Sequence, residues 1–206
     1  VDVCNYEQVS KVISEFKPDY VFHLAAQSLV SVSYEDPLKT MITNAIGTAN
    51  ILESLRLLTN NVVAVFITSD KAYYNSEWVY GYRENDKLGG YDPYSASKAM
   101  AELAINSFYN SFLKNGNTNI KIGIARAGNV IGGGDWAKDR LIPDCIKSWS
   151  VNKEVEIRNP NATRPWQHVL EPLSGYLTLA SLLSKNNIKS GEAYNFGPSA
   201  NQNRTV

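Results

Sequence analysis

Three short apolar runs, Tyr20–Leu24, Val62–Ile67 and Ile120–Ala125, are separated by long stretches of helical periodicity, and this spacing restricts the fold more than any other feature. The runs lie too far apart to be joined as hairpins. Connected through helices, they pair in parallel with right-handed crossovers. Val62-Val63-Ala64-Val65-Phe66-Ile67 is apolar at every position, as expected of a strand buried on both faces of a parallel sheet. Asn5-Tyr6-Glu7-Gln8 reads as an N-cap with its capping-box partner, opening a helix through Val9, Val12, Ile13 and Phe16 that Pro18 stops. Asp36-Pro37 opens a second helix, with Leu38, Met41, Ile42, Ala45, Ile46, Ala49, Leu52 and Leu55 at helical spacing. Asp92-Pro93 opens a third, running to about Lys114. The order α-β-α-β-α-β predicts an α/β fold with a doubly wound parallel sheet.

Beyond Asn129 the pattern is irregular. Gly132-Gly133-Gly134 is a loop, Leu141–Trp149 a helix, Glu154–Arg158 a short strand, Pro172–Leu183 a helix and Ala193–Phe196 a strand. Residues 1–130 are therefore expected to form most of the sheet. Residues 131–206 are expected to form a smaller mixed α/β region that covers a substrate and returns one strand to the sheet.

Twenty basic and twenty acidic residues leave no net charge, which points away from nucleic acid and from an anionic membrane as partners. No apolar run reaches eighteen residues, the minimum for a membrane span. Cys4 and Cys145 are far apart in sequence and read as free thiols in a reducing cytoplasm. The two histidines, His23 and His168, supply no metal-ligand pattern, and His23, inside an apolar run, reads as a hydrogen-bonded core residue.

In open parallel sheets ligands collect beyond the carboxyl ends of the strands. Here those ends read Ala25-Ala26-Gln27-Ser28, Thr68-Ser69-Asp70-Lys71 and Arg126-Ala127-Gly128-Asn129. The first offers small residues that a ligand can approach closely, and the second offers a hydroxyl, an acid and an amine. Tyr94 and Lys98 stand four residues apart and so share one helix face. A phenol ionises near ~10. An ammonium beside it, with a cationic nicotinamide close by, favours the phenolate and makes Tyr94 a proton acceptor for alcohol oxidation.

These segments together resemble the extended short-chain dehydrogenase/reductase family, and within it the sugar-nucleotide 4,6-dehydratases. The resemblance is carried by His23-Leu24-Ala25-Ala26-Gln27-Ser28, Thr68-Ser69-Asp70-Lys71, Leu88-Gly89-Gly90-Tyr91-Asp92-Pro93-Tyr94-Ser95, the run from Arg126 to Trp136, and the run from Ala162 to Leu173. It implies a Rossmann-like fold, NAD as cofactor and a nucleotide sugar as substrate. The implied reaction removes hydride from C4, eliminates water across C5 and C6, and returns the hydride to C6. It assigns Tyr94 as base for the 4-hydroxyl, Lys98 to the phenolate and a cofactor ribose, and Ser69 to the 4-oxygen. Asp70 becomes the acid for the departing 6-hydroxyl and Lys71 the group acting at the C5 proton. Many relatives carry Asp-Glu at that pair; the Asp-Lys found here resembles the branch acting on CDP-glucose.

The same resemblance implies cofactor contacts from Asp2, Val3, Ala25, Ala26, Tyr94 and Lys98. It implies substrate contacts from Asn129, Arg140 and Arg164, with Arg164 meeting the diphosphate. Asn44 resembles the family's helix asparagine near the active site, Trp166 reads as a packing residue, and the two long helices resemble those that pair family members into homodimers.

One departure is large. The family begins with a strand and a Gly-x-x-Gly-x-x-Gly turn, whereas Val1-Asp2-Val3 resembles a later family segment. The chain therefore reads as an internal fragment without the glycine-rich half of the dinucleotide fold, and the strand at Tyr20–Leu24 is expected to present an unpaired apolar edge. Two other readings stand beside the dehydratase: a sugar-nucleotide 4-epimerase, which needs no acid and base for C5–C6 elimination, and a non-catalytic NAD-binding or oligomer-forming remnant. Asp70-Lys71 favours the dehydratase.

Overall fold

The computed structural model describes residues 1–115, 118–202 and 204–206. Its centre is a parallel sheet of four strands, β1 (Tyr20–His23), β2 (Val62–Ile67), β3 (Ile120–Ala127) and β7 (Ala193–Phe196), in that spatial order. The outer side of β1 has no strand beside it among the described residues, so the predicted open edge is present, with Tyr20 and Leu24 exposed.

Alternate residues of β2 feed two separate cores, which explains its unbroken apolar run. Val62, Ala64 and Phe66 join Ile120, Ile122 and Ile124 of β3 on the first face. There they meet Val9 of helix α1 (Tyr6–Phe16), Leu52 and Leu55 of α4 (Gly47–Arg56) and Ile105 of α5 (Pro93–Phe108). Val63 and Val65 face the other way, against Tyr176, Leu179, Ala180 and Leu183 of α7 (Leu170–Ser184).

The helix ends follow the sequence closely. The Asn5 side chain accepts from Gln8 N at 3.0 Å, and Lys17, with φ 48°, closes α1 in the left-handed conformation just before Pro18. Asp36 caps α3 (Pro37–Met41) through Lys39 N at 3.0 Å, and Asp92 caps α5 through Ser95 N at 2.9 Å.

Four features depart from the sequence reading. A separate helix, α2 (Val30–Glu35), precedes α3. The second predicted helix is not uniform: Ile42–Ile46 forms a π-helical turn between α3 and α4, and Tyr109–Leu113 forms another beyond α5. Residues Glu154–Arg158 form no strand; β7 already holds the edge of the sheet beside β3, and mostly exposed side chains give this segment no face to bury. Two small pairings not foreseen lie beyond β3: β4 (Val130–Ile131) with β6 (Gln167–His168), and β5 (Thr163–Arg164) with β8 (Arg204–Thr205). Helix α6 (Leu141–Trp149) coincides with its predicted span.

Candidate active site

The carboxyl end of β2 and the first two turns of α5 bring the sequence-predicted groups together. Ser69, two residues past the end of β2, is in extended backbone, and its hydroxyl caps the short turn Asp70–Ala72 by accepting from Lys71 N at 3.2 Å. The same hydroxyl donates to the Asp70 carboxylate at 3.0 Å. Tyr94, buried, lies beside this turn: burial pushes its phenol up, the Ser69 hydroxyl pulls it down, the Asp70 charge pushes it up again and the Arg140 guanidinium pulls it down. The dominant influence on Tyr94 is desolvation, and the cation acting on it is Arg140.

Lys98 is only 6 % exposed, and burial lowers its ammonium to about 8 against an opposing pull from Glu102. It makes no hydrogen bond to the described residues. A largely buried lysine whose ammonium makes no hydrogen bond to the described residues suits a ligand hydroxyl, and NAD fits on this ground. Ala25 and Ala26 lie just past the end of β1, where a ligand meets little side chain. Lys98 and Tyr94 would hold the nicotinamide ribose, and the two alanines would border it.

Asn44 sits in the π-helical turn and ties the site's supports together. Its Oδ1 accepts from Gln27 N at 2.8 Å, while its Nδ2 donates to Gln27 O at 3.0 Å and to Ser97 Oγ at 2.8 Å. Ser97 in turn donates to the Tyr94 carbonyl at 2.6 Å. Asn44 is thus a brace between the segment after β1 and helix α5.

His23 is the core residue its position suggested. The Thr48 hydroxyl proton goes to Asn44 O at 2.7 Å, so Thr48 Oγ1 can only accept from His23 Nε2, 3.1 Å away, which assigns the neutral Nε2–H tautomer. Burial and the Lys98 charge lower His23 to about 4 from 6.5. The unfolded chain takes up that proton first on acidification, so the contribution is complete above pH 6.5 and is lost as pH falls through 4. A shift of this size corresponds to about 3 kcal/mol. Urea unfolding of the full-length protein should show that loss between pH 6.5 and 4, and His23→Gln should flatten it; equal slopes in both proteins would refute the assignment.

The remaining predicted residues are dispersed. Two glycines shape the cleft: a Cβ on Gly128 would stand 2.9 Å from Pro165 Cγ and 3.4 Å from Asp70 Oδ2, so only glycine lets the segment after Arg164 close on the acid. A Cβ on Gly90 would meet Ser95 and Ala96 at about 2.5 Å, where the loop crosses the start of α5. Arg140, at the start of α6, reaches across to Ser28 O at 3.2 Å, and its Nε is buried without a partner. Asn129 gives its carbonyl to Gln167 N at 3.1 Å. Arg164 bonds the carbonyl of Thr163 at 2.8 Å, and Lys71 is exposed. Asp2 caps the turn before α1 by accepting from Cys4 N at 2.9 Å, and Val3 packs on the first core.

Sequence reasoning gave no role to Glu102 and Arg126. Glu102 has 0 % exposure, accepts from Thr68 Oγ1 at 2.6 Å and is paired with Arg126. A glutamate and an arginine read as solvated charges until packing shows otherwise; the available signal was the spacing of Glu102, four residues beyond Lys98.

Sheet order and the placement of Ser69, Tyr94 and Lys98 define a Rossmann-like α/β chain of the kind found in sugar-nucleotide dehydratases. The chain matches the model of the GDP-mannose 4,6 dehydratase family over residues 1–204 and belongs to that family. It is 52% identical, over 208 residues, to a CDP-glucose 4,6-dehydratase of Salmonella typhimurium, covering 100% of this chain and 58% of that protein. A CDP-paratose 2-epimerase of Salmonella typhi is 26% identical, covering 95% of this chain and 62% of that protein. Among solved structures, the DesIV double mutant, a dTDP-glucose 4,6-dehydratase from Streptomyces venezuelae with NAD and DAU bound, superposes with a TM-score of 0.81. It is 21% identical, covering 96% of this chain and 56% of that one. The chain thus spans less than two thirds of the length of these relatives. No helix among the described residues is long and apolar enough to cross a membrane.

Proposed function

We propose that this chain supplies the catalytic residues of an NAD-dependent dehydratase acting on a nucleotide sugar, with CDP-glucose as substrate and the 4-keto-6-deoxy sugar nucleotide plus water as products. The observation that carries the reading is Asp70, an acid hydrogen-bonded to Ser69 and near enough to Tyr94 to act on its phenol. Oxidation and re-reduction at C4, all that an epimerase needs, require no such acid. The 52% identity to a CDP-glucose 4,6-dehydratase supports the same choice.

NAD, when bound, supplies the acceptor for hydride from C4 and its return to C6. Tyr94 takes the 4-hydroxyl proton while Ser69 hydrogen-bonds the 4-oxygen and Lys98, one turn along the same helix, supplies positive charge to the phenolate and the cofactor ribose. The 4-ketone makes the C5 proton acidic. Lys71 is the group that acts on that proton, by removing it or by polarising it. Asp70 protonates the departing 6-hydroxyl, and water leaves as the C5–C6 double bond forms. Asn129, Arg140 and Arg164 line the nucleotide, with the Arg164 guanidinium suited to diphosphate oxygens. Asp2 and Val3 border the adenine side of the cofactor. Residues 131–206 form the region that covers the sugar nucleotide.

We place the working enzyme in the cytoplasm as a homodimer. Cys4 and Cys145, both free, fit a reducing compartment. Leu38, Ile42 and Ile46 with Met100 and Leu103 leave apolar surface on neighbouring helices, and a second copy of the chain is the partner proposed to cover it.

The deciding experiment incubates the full-length protein with NAD and either CDP-glucose or dTDP-glucose and assays the 4-keto-6-deoxy product; a 4-epimer in place of that product would establish the epimerase instead. In Asp70→Asn and Lys71→Met, reduced cofactor should accumulate while deoxy product falls by about a hundredfold. Unimpaired elimination in both would make the turn purely structural.

A further inference from the structure

Behind the oxidation site lies a buried polar network that the proposed chemistry does not use. Glu102 stands on α5 one turn beyond Lys98 and two beyond Tyr94, so all three share one helix face. Its carboxylate accepts from Thr68 Oγ1 at 2.6 Å, in the residue next to Ser69, and from Arg126 Nε at 2.8 Å, with Arg126 Nη2 closing the second arm of the pair. Arg126 Nη1 reaches forward to Tyr73 Oη at 2.7 Å and to Glu84 O at 2.9 Å, and its guanidinium lies 4.6 Å from the centre of the Tyr73 ring. Tyr73, which ends the turn carrying Asp70 and Lys71, donates onward to Asn195 Oδ1 of β7 at 2.7 Å. One carboxylate is thereby bonded to the ends of β2 and β3, and through Arg126 to the far side of the turn.

We propose that Glu102 is a positioning residue that locks the helix bearing Tyr94 and Lys98 to the turn bearing Ser69, Asp70 and Lys71, and that it is the buried countercharge keeping Lys98 an ammonium. The first role follows from geometry: Thr68 precedes the turn, Tyr73 follows it, and both are tied, directly or through Arg126, to the same carboxylate. Oxidation and elimination act on adjacent carbons of one sugar, so a shift of α5 against the turn would misplace one pair relative to the other. The second role follows from burial. Lys98 has no hydrogen bond to the described residues, and the titratable groups whose charge is linked to it are Glu102 on its own helix and the neutral His23 of β1. Glu102 is the one acting to hold its proton. Arg126 and Thr68 hold that carboxylate in place through their hydrogen bonds.

The positioning role rests on the dehydratase reading, whereas the countercharge role needs no substrate. In the full-length protein, the Lys98 13Cε NMR resonance, assigned with Lys98→Met, should titrate near pH 8 and move at least about one pH unit lower in Glu102→Gln. Glu102→Asp, which keeps the charge, should restore the midpoint. A folded Glu102→Gln protein with an unmoved midpoint overturns the countercharge. Thr68→Val keeps every charge and frees Glu102 from the strand end; kcat for deoxy-sugar formation should fall about tenfold with KM unchanged and the Lys98 midpoint in place. Wild-type kcat in Thr68→Val overturns the positioning role, including where Glu102→Gln fails to fold. A Lys98 midpoint that moves in Glu102→Gln, in a protein that turns over no nucleotide sugar, supports the countercharge and defeats the dehydratase reading instead.

Discussion

Tyr94→Phe in the full-length protein is expected to lower C4 oxidation at least about a hundredfold, the usual scale of a lost acid–base group, while leaving NAD affinity within about twofold. Phenylalanine keeps the buried ring and removes only the hydroxyl. The backbone around it is held independently: Asp92 caps the helix, and Ser97 anchors the Tyr94 carbonyl to Asn44. The measurement is single-turnover formation of reduced cofactor from CDP-glucose, beside a calorimetric titration with NAD. Retained turnover would remove Tyr94 from its central role. A parallel loss of NAD binding would show that the phenol's contact with the ribose dominates cofactor affinity and would leave its part in proton transfer unproved.

Lys98→Met should abolish turnover and make the protein more stable. The sign follows from where the proton resides. In the unfolded chain the lysine stays protonated up to pH 10.5; in the fold, burial brings the group to about 8. Between those values the unfolded state binds the extra proton, so wild-type stability rises with pH across that window. At pH 7 both states are charged and the whole cost is present, about 3 kcal/mol for a shift of this size. Methionine fills similar volume without a charge to bury. Urea unfolding at pH 7 should therefore place the variant up to about 3 kcal/mol above wild type, with the gap narrowing by pH 9.5. A variant no more stable than wild type at pH 7 would mean that the buried ammonium costs nothing, contradicting the desolvated site. A cost to folding that is retained for chemistry is the trade common to active sites.

Both experiments probe groups that were visible in the sequence, yet their surroundings were not. Tyr94, Lys98, Ser69 and Asp70 were legible because local rules place them: an N-cap and a first-turn proline fix the start of α5, and a strand ending in polar residues fixes the turn. The same local logic set the strands at β2 and β7 and the span of α6, since an all-apolar run or a capped amphipathic segment carries its own boundaries. It failed at Glu154–Arg158, where alternation without a sheet edge to join yields no strand.

What the sequence determined by itself was the order of elements, hence a parallel sheet with ligand-facing strand ends, and the chemical identity of the groups at those ends. Tertiary structure decided their electrostatic state and their supports. Desolvation depends on how completely other elements cover a group: burial lowers Lys98, and burial beside Asp70 raises Tyr94. Partners distant in sequence are invisible to periodicity, so Glu102 and Arg126, Asn44 and Ser97, and Arg140 and Ser28 could be joined only by the packing of α5, β3 and the segment after β1 around one site. Spacing along a chain states which face a residue shares. Which charges meet across that face is set by the fold, because Coulomb and hydrogen-bond energies depend on distance in space and on the dielectric around the pair.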